Sequence, residues 1–517
     1  MVRKLRWLAL ALLVLALASL LALYSYGRFA ERARGDASHA LAVQATGGAL
    51  DRAIAPLTEA NPGKSGLLLV SDNVGAFAVR AAVTRAATRS LDLQYYIWHH
   101  DLTGMLMMDE VLRAADRGVR VRLLLDDLNA HGHDSGLAAL DSHENVEVRL
   151  FNPSRSREGT LGRAVEMGLR LVSMNRRMHN KAWIADGRVA VVGGRNIGNE
   201  YFDAAPDSNF LDLDVALLGP AVQQAEAIFD DFWNSESVIP LEALAQPRAG
   251  ALERLRNGGD SRSEAPLARP FLDNLRGPGR MLSLPGGERA VHWVSNAHVH
   301  SDPAAKGQGD GQDRWLSGIL EPVMGAAQRE LRLISPYFVP GVDGVNELLS
   351  MTGRGVDVGV LTNSLAATDV VAVHGGYANY RVPLLLAGVD LFELMPHGRA
   401  DGSLFGSSGA SLHTKAFAVD GTVGFIGSFN LDPRSVSLNT EMGVVFEDVA
   451  LTTALLESYA TKTAPGNSYR LALENGSLRW HDGSVQPPRA WKHEPESSLW
   501  RRAQARVMRW LPIESQL

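Results

Sequence analysis

Met178-His179-Asn180-Lys181-Ala182-Trp183-Ile184-Ala185-Asp186 is followed by an apolar run, Val189 to Val192, and then by Gly193-Gly194-Arg195-Asn196. The same figure returns as His413-Thr414-Lys415 with Asp420, a run through Phe425 and Ile426, and Gly427-Ser428-Phe429-Asn430. His, Lys, Asp, Gly and Asn recur at matched offsets, so the two stretches are copies. Correspondence also extends well beyond the motif. Ser90 to Trp98 alternates as a strand does, Met105 to Arg117 has helical spacing that ends at Gly118, and Val119 to Leu125 is again strand-like. Leu331 to Tyr337, Val345 to Met351 and Arg354 to Val358 repeat that order in the second half. The strands alternate with helices, and the unit is far longer than a solenoid repeat. The reading is an α/β fold of two duplicated domains, mixed sheets flanked by helices and packed about a pseudo-twofold axis. Leu213-Asp214-Val215 is matched with Thr440-Glu441-Met442 in this scheme.

Working outward, Arg3, Lys4 and Arg6 precede an uncharged apolar run from Trp7 to about Tyr26, long enough to span a bilayer. Its length favours an uncleaved anchor over a signal peptide, and the short basic leader favours an extracytoplasmic body at the cell inner membrane. The chain divides into an anchor (1–27), a connector (28–55), a first domain (56–245), a linker rich in Arg, Gly, Pro and Ser (246–290), a second domain (291–486) and a tail (487–517). In that tail Leu499, Trp500, Ala503, Val507, Trp510 and Leu511 share one helical face, bordered by arginines. Such a helix suits either an anionic membrane surface or packing onto the domain.

The 517 residues carry a net charge of −6, which argues against nucleic acid as the main partner, and contain no cysteine, which excludes disulfides, zinc–thiolate sites and thiol nucleophiles. On a strand, His179 and Lys181 point to one side, as do His413 and Lys415. Face-to-face halves would bring two imidazoles and two ammoniums together. Lysine suits a phosphate oxygen, and Asn196 and Asn430 are candidate neutral donors. Gly194 and Ser428 would let the backbone approach a bound phosphate. One histidine can attack phosphorus while the other protonates the leaving alcohol, and Asp214 and Glu441 are candidate orienters of the imidazoles. This chemistry requires no metal and no cofactor.

The doubled His-x-Lys-x4-Asp with Gly-Gly/Ser-x-Asn resembles the phospholipase D superfamily. The anchor, Tyr95-Tyr96-Ile97-Trp98 and the closing Pro512-Ile513-Glu514 are most similar to its bacterial cardiolipin synthases of the third type. That resemblance implies a catalytic set of His179, His413, Lys181, Lys415, Asp186 and Asp420. In it His179 is the nucleophile, His413 the acid, the lysines bind phosphate and the aspartates are chiefly structural. It implies transfer of a phosphatidyl group from phosphatidylglycerol or phosphatidylethanolamine to phosphatidylglycerol. A hydrolase of the same superfamily, acting on lipid or nucleic acid, is the alternative within enzymes; a membrane-tethered scaffold is the alternative outside them.

Overall fold

The computed structural model describes residues 2–517 except 45–46, 131, 158, 265, 274–290 and 397–408. Two sheets dominate it. The first has nine strands, and its middle holds Ser90–Tyr95, Arg120–Asp126 and Val146–Phe151 in parallel. Beside them Ala182–Ala185, Val189–Gly193 and Asp214–Leu218 run antiparallel to their neighbours. The second sheet, of ten strands, repeats the plan. Glu330–Ile334, Asp357–Asn363 and Asp390–Leu394 are parallel, with Lys415–Val419, Val423–Gly427 and Met442–Glu447 antiparallel beside them. The parallel strands read as apolar runs because both of their faces are covered. The strand His292–Val294, placed by the sequence at the start of the second domain, pairs instead with Ser65–Val70 at the edge of the first sheet.

One buried apolar cluster runs through both halves. Val192, Val215 and Phe229 of the first meet Ala416, Ile426 and Val444 of the second. The halves therefore share a core rather than touching at a polar seam. Two further contacts stitch them together close to the repeated motifs. Ser208–Leu211 pairs in parallel with Gly409–Leu412, Leu211 opposite Leu412. At the symmetry-related place Met178 bridges in parallel to Thr440.

The apolar N-terminal segment is a single helix, Val2–Ala33, long and apolar enough to cross a membrane. It runs past residue 27 into the stretch read as connector. The segment read as a linker is better packed than its composition suggested. Ala251–Glu264 lies on Leu102–Asp116, where Arg262 pairs with Asp109, and Phe271 packs 4.9 Å from Phe77. The rest of that linker, 274–290, lies outside the described residues. In the tail, Leu499–Trp510 packs on Val371–Tyr377, and Leu517 closes onto the second core.

Candidate active site

The two parallel contacts between the halves decide how the site is built. His179 follows Met178, and its amide donates to the carbonyl of Thr440 at 2.8 Å. The next residue on that partner strand is Glu441, whose Oε2 lies 2.8 Å from His179 Nδ1. The second half mirrors this. His413 donates its amide to the carbonyl of Leu211 at 2.9 Å, and Asp212 Oδ2 sits 2.6 Å from His413 Nδ1. Each imidazole is thus held at Nδ1 by a carboxylate from the opposite half, and among the described residues nothing bonds its Nε2.

Lys181 and Lys415, two residues further on, are both buried, and their Nζ atoms donate to the carbonyls of His179 at 2.6 Å and His413 at 2.5 Å. Burial drives the pKa of Lys181 well down, and that of Lys415 down to about 8. Each ammonium lies over an aromatic ring, Lys181 over Tyr96 at 5.4 Å and Lys415 over Tyr337 at 6.0 Å. Tyr96 also meets the His179 ring edge-on at 5.1 Å, while Tyr201 and Phe210 pack against His413 at 5.3 and 4.8 Å. The site is a pair of His–Lys units inside an aromatic wall.

The imidazoles are not equivalent. Burial, then Lys181 and Lys415, hold His179 well below the usual histidine range. Its partner Glu441 is pushed up to about 7 by burial, although Lys181, Ser428 and Ser435 act against the rise. Burial also works against the ionised form of Asp212, but the neighbouring His413 and Lys415 outweigh it and hold the carboxyl below its ordinary value. His413 is lowered by burial and Lys415, with Asp212 opposing.

Several sequence-based assignments change. Asp214 does not orient a histidine. Its carboxylate is fully buried between Arg80, at 2.9 Å, and Arg195, at 3.2 Å. The match of Asp214 with Glu441 was out of register by two residues. Gly194 N donates to the carbonyl of Leu213 as Ser428 N does to that of Met442, so Asp212 is the counterpart of Glu441. Asp186 and Asp420, read as chiefly structural, are taken up by backbone amides. Asp186 accepts from the amides of Thr88, Arg89 and Ser90, and Asp420 from those of Gln328, Arg329 and Glu330. Each fastens the start of a parallel strand, and each takes a positive φ of 53° in doing so.

Asn196 is also engaged elsewhere: its amide donates to Tyr201 Oη at 2.8 Å and its oxygen accepts from Ile97 N at 3.2 Å. It sets the ring that faces His413. Asn430 differs, because its buried Oδ1 has no hydrogen-bond partner among the described residues. Ser428 donates to Glu441 Oε2 at 2.5 Å rather than standing open to phosphate. At Gly194 a Cβ would collide with the Asp212 carboxylate, so the missing side chain makes room for that acid. Sequence reasoning missed Asp212, Tyr201, Phe210 and Tyr337. Only Asp212 left a trace, as an acid followed by a large apolar residue, matching Glu441-Met442.

A duplicated α/β fold whose halves lie strand to strand and pair two histidines with two acids has the arrangement of an enzyme that works by nucleophilic and acid–base catalysis. Comparison with known proteins narrows this. The family described as "Cardiolipin synthase, PLD-like domain" matches residues 82–233 and 320–461. The chain is 40% identical over 473 residues to cardiolipin synthase C of Escherichia coli, covering 90% of this chain and 99% of that one. It is 26% identical over 363 residues to cardiolipin synthase 1 of Bacillus anthracis, covering 70% of this chain and 59% of that one. Among solved structures, the phosphatidylserine synthase of Haemophilus influenzae shares the fold, with a TM-score of 0.57 at 13% identity over 89% of this chain and 99% of that one. The chain belongs to the cardiolipin synthase family of phospholipase-D-like proteins. It is a phosphatidyltransferase acting on phospholipids, and with its apolar N-terminal helix it is assigned to the inner membrane.

Proposed function

We propose that this enzyme makes cardiolipin by moving a phosphatidyl group onto the free hydroxyl of phosphatidylglycerol, through a covalent phosphohistidine. The observation that carries the reading is the crossed pairing of His179 with Glu441 and His413 with Asp212. It leaves Nε2 of each imidazole free for chemistry. His179 is the nucleophile: burial and the two lysines disfavour its protonated form, and its carboxylate partner Glu441 is itself raised, whereas His413 faces an ionised Asp212 that favours a proton. Its Nε2 forms a bond to phosphorus, and the bond from phosphorus to the leaving oxygen breaks. His413 enters this step as the imidazolium, a cation the ionised Asp212 favours against burial, and gives its Nε2 proton to that oxygen. It then takes the proton of the incoming hydroxyl, whose oxygen displaces His179. Lys181 and Lys415 bear on the charge of the phosphoryl oxygens.

The donor is phosphatidylglycerol, which releases glycerol, or phosphatidylethanolamine, which releases ethanolamine. The test is lipid analysis of a cardiolipin-deficient bacterium making this chain, supplied with one donor labelled at a time. Cardiolipin carrying the label supports the reading, and phosphatidic acid as the sole labelled product would replace transfer with hydrolysis. An uncleaved anchor with the body outside the cytoplasm is part of the proposal. Protease added to intact spheroplasts should digest the body; full protection would place it in the cytoplasm.

A further inference from the structure

The terminal helix Leu499–Trp510 turns the wrong side outward for a soluble protein. Its packed side consists of Ala505, Met508, Arg501 and Arg509. A Cβ on Gly375 would come within 2.8 Å of the Ala505 carbonyl and 2.9 Å of Met508 Cβ, so the helix lies tight on Val371–Tyr377. Arg501 donates to the carbonyl of Leu365 at 2.6 Å and Arg509 to Asn379 Oδ1 at 2.6 Å. The arginines of this side are therefore used to hold the helix down. On the opposite side Leu499, Trp500, Val507 and Trp510 are 80%, 72%, 59% and 81% exposed. At 100° per residue they fall within an arc of about 100°, too regular a stripe to be scattered surface residues.

What covers this stripe is indicated by the position of the anchor. The end of Val2–Ala33 is seated on the segment that leads into His179: Arg170 lies 3.2 Å over the ring of Tyr26, and Arg155 4.7 Å over that of Phe29. The short helices there, Thr160–Leu169 and Leu171–Met174, expose Leu161, Val165, Leu171 and Val172. Asn175, which caps the second of them, donates to Gln516 at 2.5 Å and accepts from Arg434 at 3.0 Å, and Arg434 N bonds to the carbonyl of Leu517. The anchor end, the short helices and the chain end that follows the terminal helix thus touch one another in series, and the short helices carry exposed apolar side chains. Tryptophan bordered by exposed arginine, here Arg506, is the composition of a helix that lies in the headgroup layer.

We propose that the outward stripe of the terminal helix docks on the surface of the bilayer that holds the anchor, a phospholipid surface bearing anionic headgroups. This second attachment rests on the membrane placement and not on the proposed transfer reaction. The absence of native cysteine allows a single reporter. Val507→Cys and Trp510→Cys, each in the full chain and labelled with an environment-sensitive dye, are reconstituted in vesicles of phosphatidylglycerol and phosphatidylethanolamine. Replacing the acyl chains by brominated ones should quench both labels at least twofold. Unquenched labels overturn the proposal. If they are nevertheless shielded from aqueous iodide, the stripe is covered by protein instead. The double variant Trp500→Ser/Trp510→Ser should lower transfer on vesicles about tenfold while leaving turnover of a short-chain, water-soluble phosphodiester unchanged. Equal loss on both would make the tryptophans supports of the fold and also overturn the docking.

Discussion

The His179 and His413 dyads share one backbone plan and differ in electrostatics. Glu441 reaches His179 through a longer side chain, held by the hydroxyls of Ser428 at 2.5 Å and Ser435 at 2.9 Å. Asp212 reaches His413 through a shorter one, with Gly194 standing where the other half has Ser428. Glu441 rises to about 7, whereas Asp212 stays below the ordinary carboxylate range. The two copies keep one backbone plan and differ at Asp212 against Glu441 and at Gly194 against Ser428. An imidazole beside a firmly ionised acid is the better proton carrier; one kept neutral is the better nucleophile.

The largest expected effect breaks the comparison outright. With an activated aryl phosphodiester, whose leaving group needs no proton, His413→Ala should still build up a covalent phosphoenzyme, while His179→Ala should form none. Both should lose cardiolipin synthesis by about 10³-fold or more. Phosphoenzyme in His179→Ala would reverse the assignment. Next come the orienting acids: Asp212→Asn should cost about 10²–10³ in kcat and Glu441→Gln about tenfold, because Glu441 is already near half protonation at neutral pH. Equal losses would erase the distinction between the dyads.

A smaller effect appears as a pH profile. Lys415 carries its proton below about 8 and loses it above, so kcat/KM for the lipid should fall as pH rises through that value. Lys415→Arg keeps its charge throughout and should flatten this alkaline limb. A limb unchanged in the variant would assign it to another group. The smallest catalytic effect belongs to the motif aspartates. Asp186→Ala, which strands three partly buried amides, should lower stability by about 2 kcal/mol, and Asp420→Ala, at a more exposed turn, by about 1 kcal/mol. Denaturant midpoints would check this, with kcat of the folded fraction near normal.

The duplicated fold was legible because strand and helix periods are local, and both copies kept them. The pairing of each histidine with the opposite half could not be read in the same way, since it depends on two parallel contacts between distant segments. The misplacement of Asp214 has a simple cause. Sixteen positions separate Asn196 from Asp212, but only eleven separate Asn430 from Glu441, so the longer loop in the first half shifted the match. Asp214 is also an acid, two positions away, and only Arg80 and Arg195 reveal that it belongs to the interior. Tyr201 and Phe210 sit in that loop, where no repeat marks them.

The parallel pairing of Ser208–Leu211 with Gly409–Leu412 has a consequence for the life of the chain. During synthesis the first half emerges with its imidazole and ammonium already made, yet Glu441 has not been translated. His413, in turn, finds Asp212 only when the returning strand is laid beside one completed long before. The reactive pair can therefore be assembled only once both halves have been made. A truncated product released early by the ribosome would leave the membrane lipids untouched.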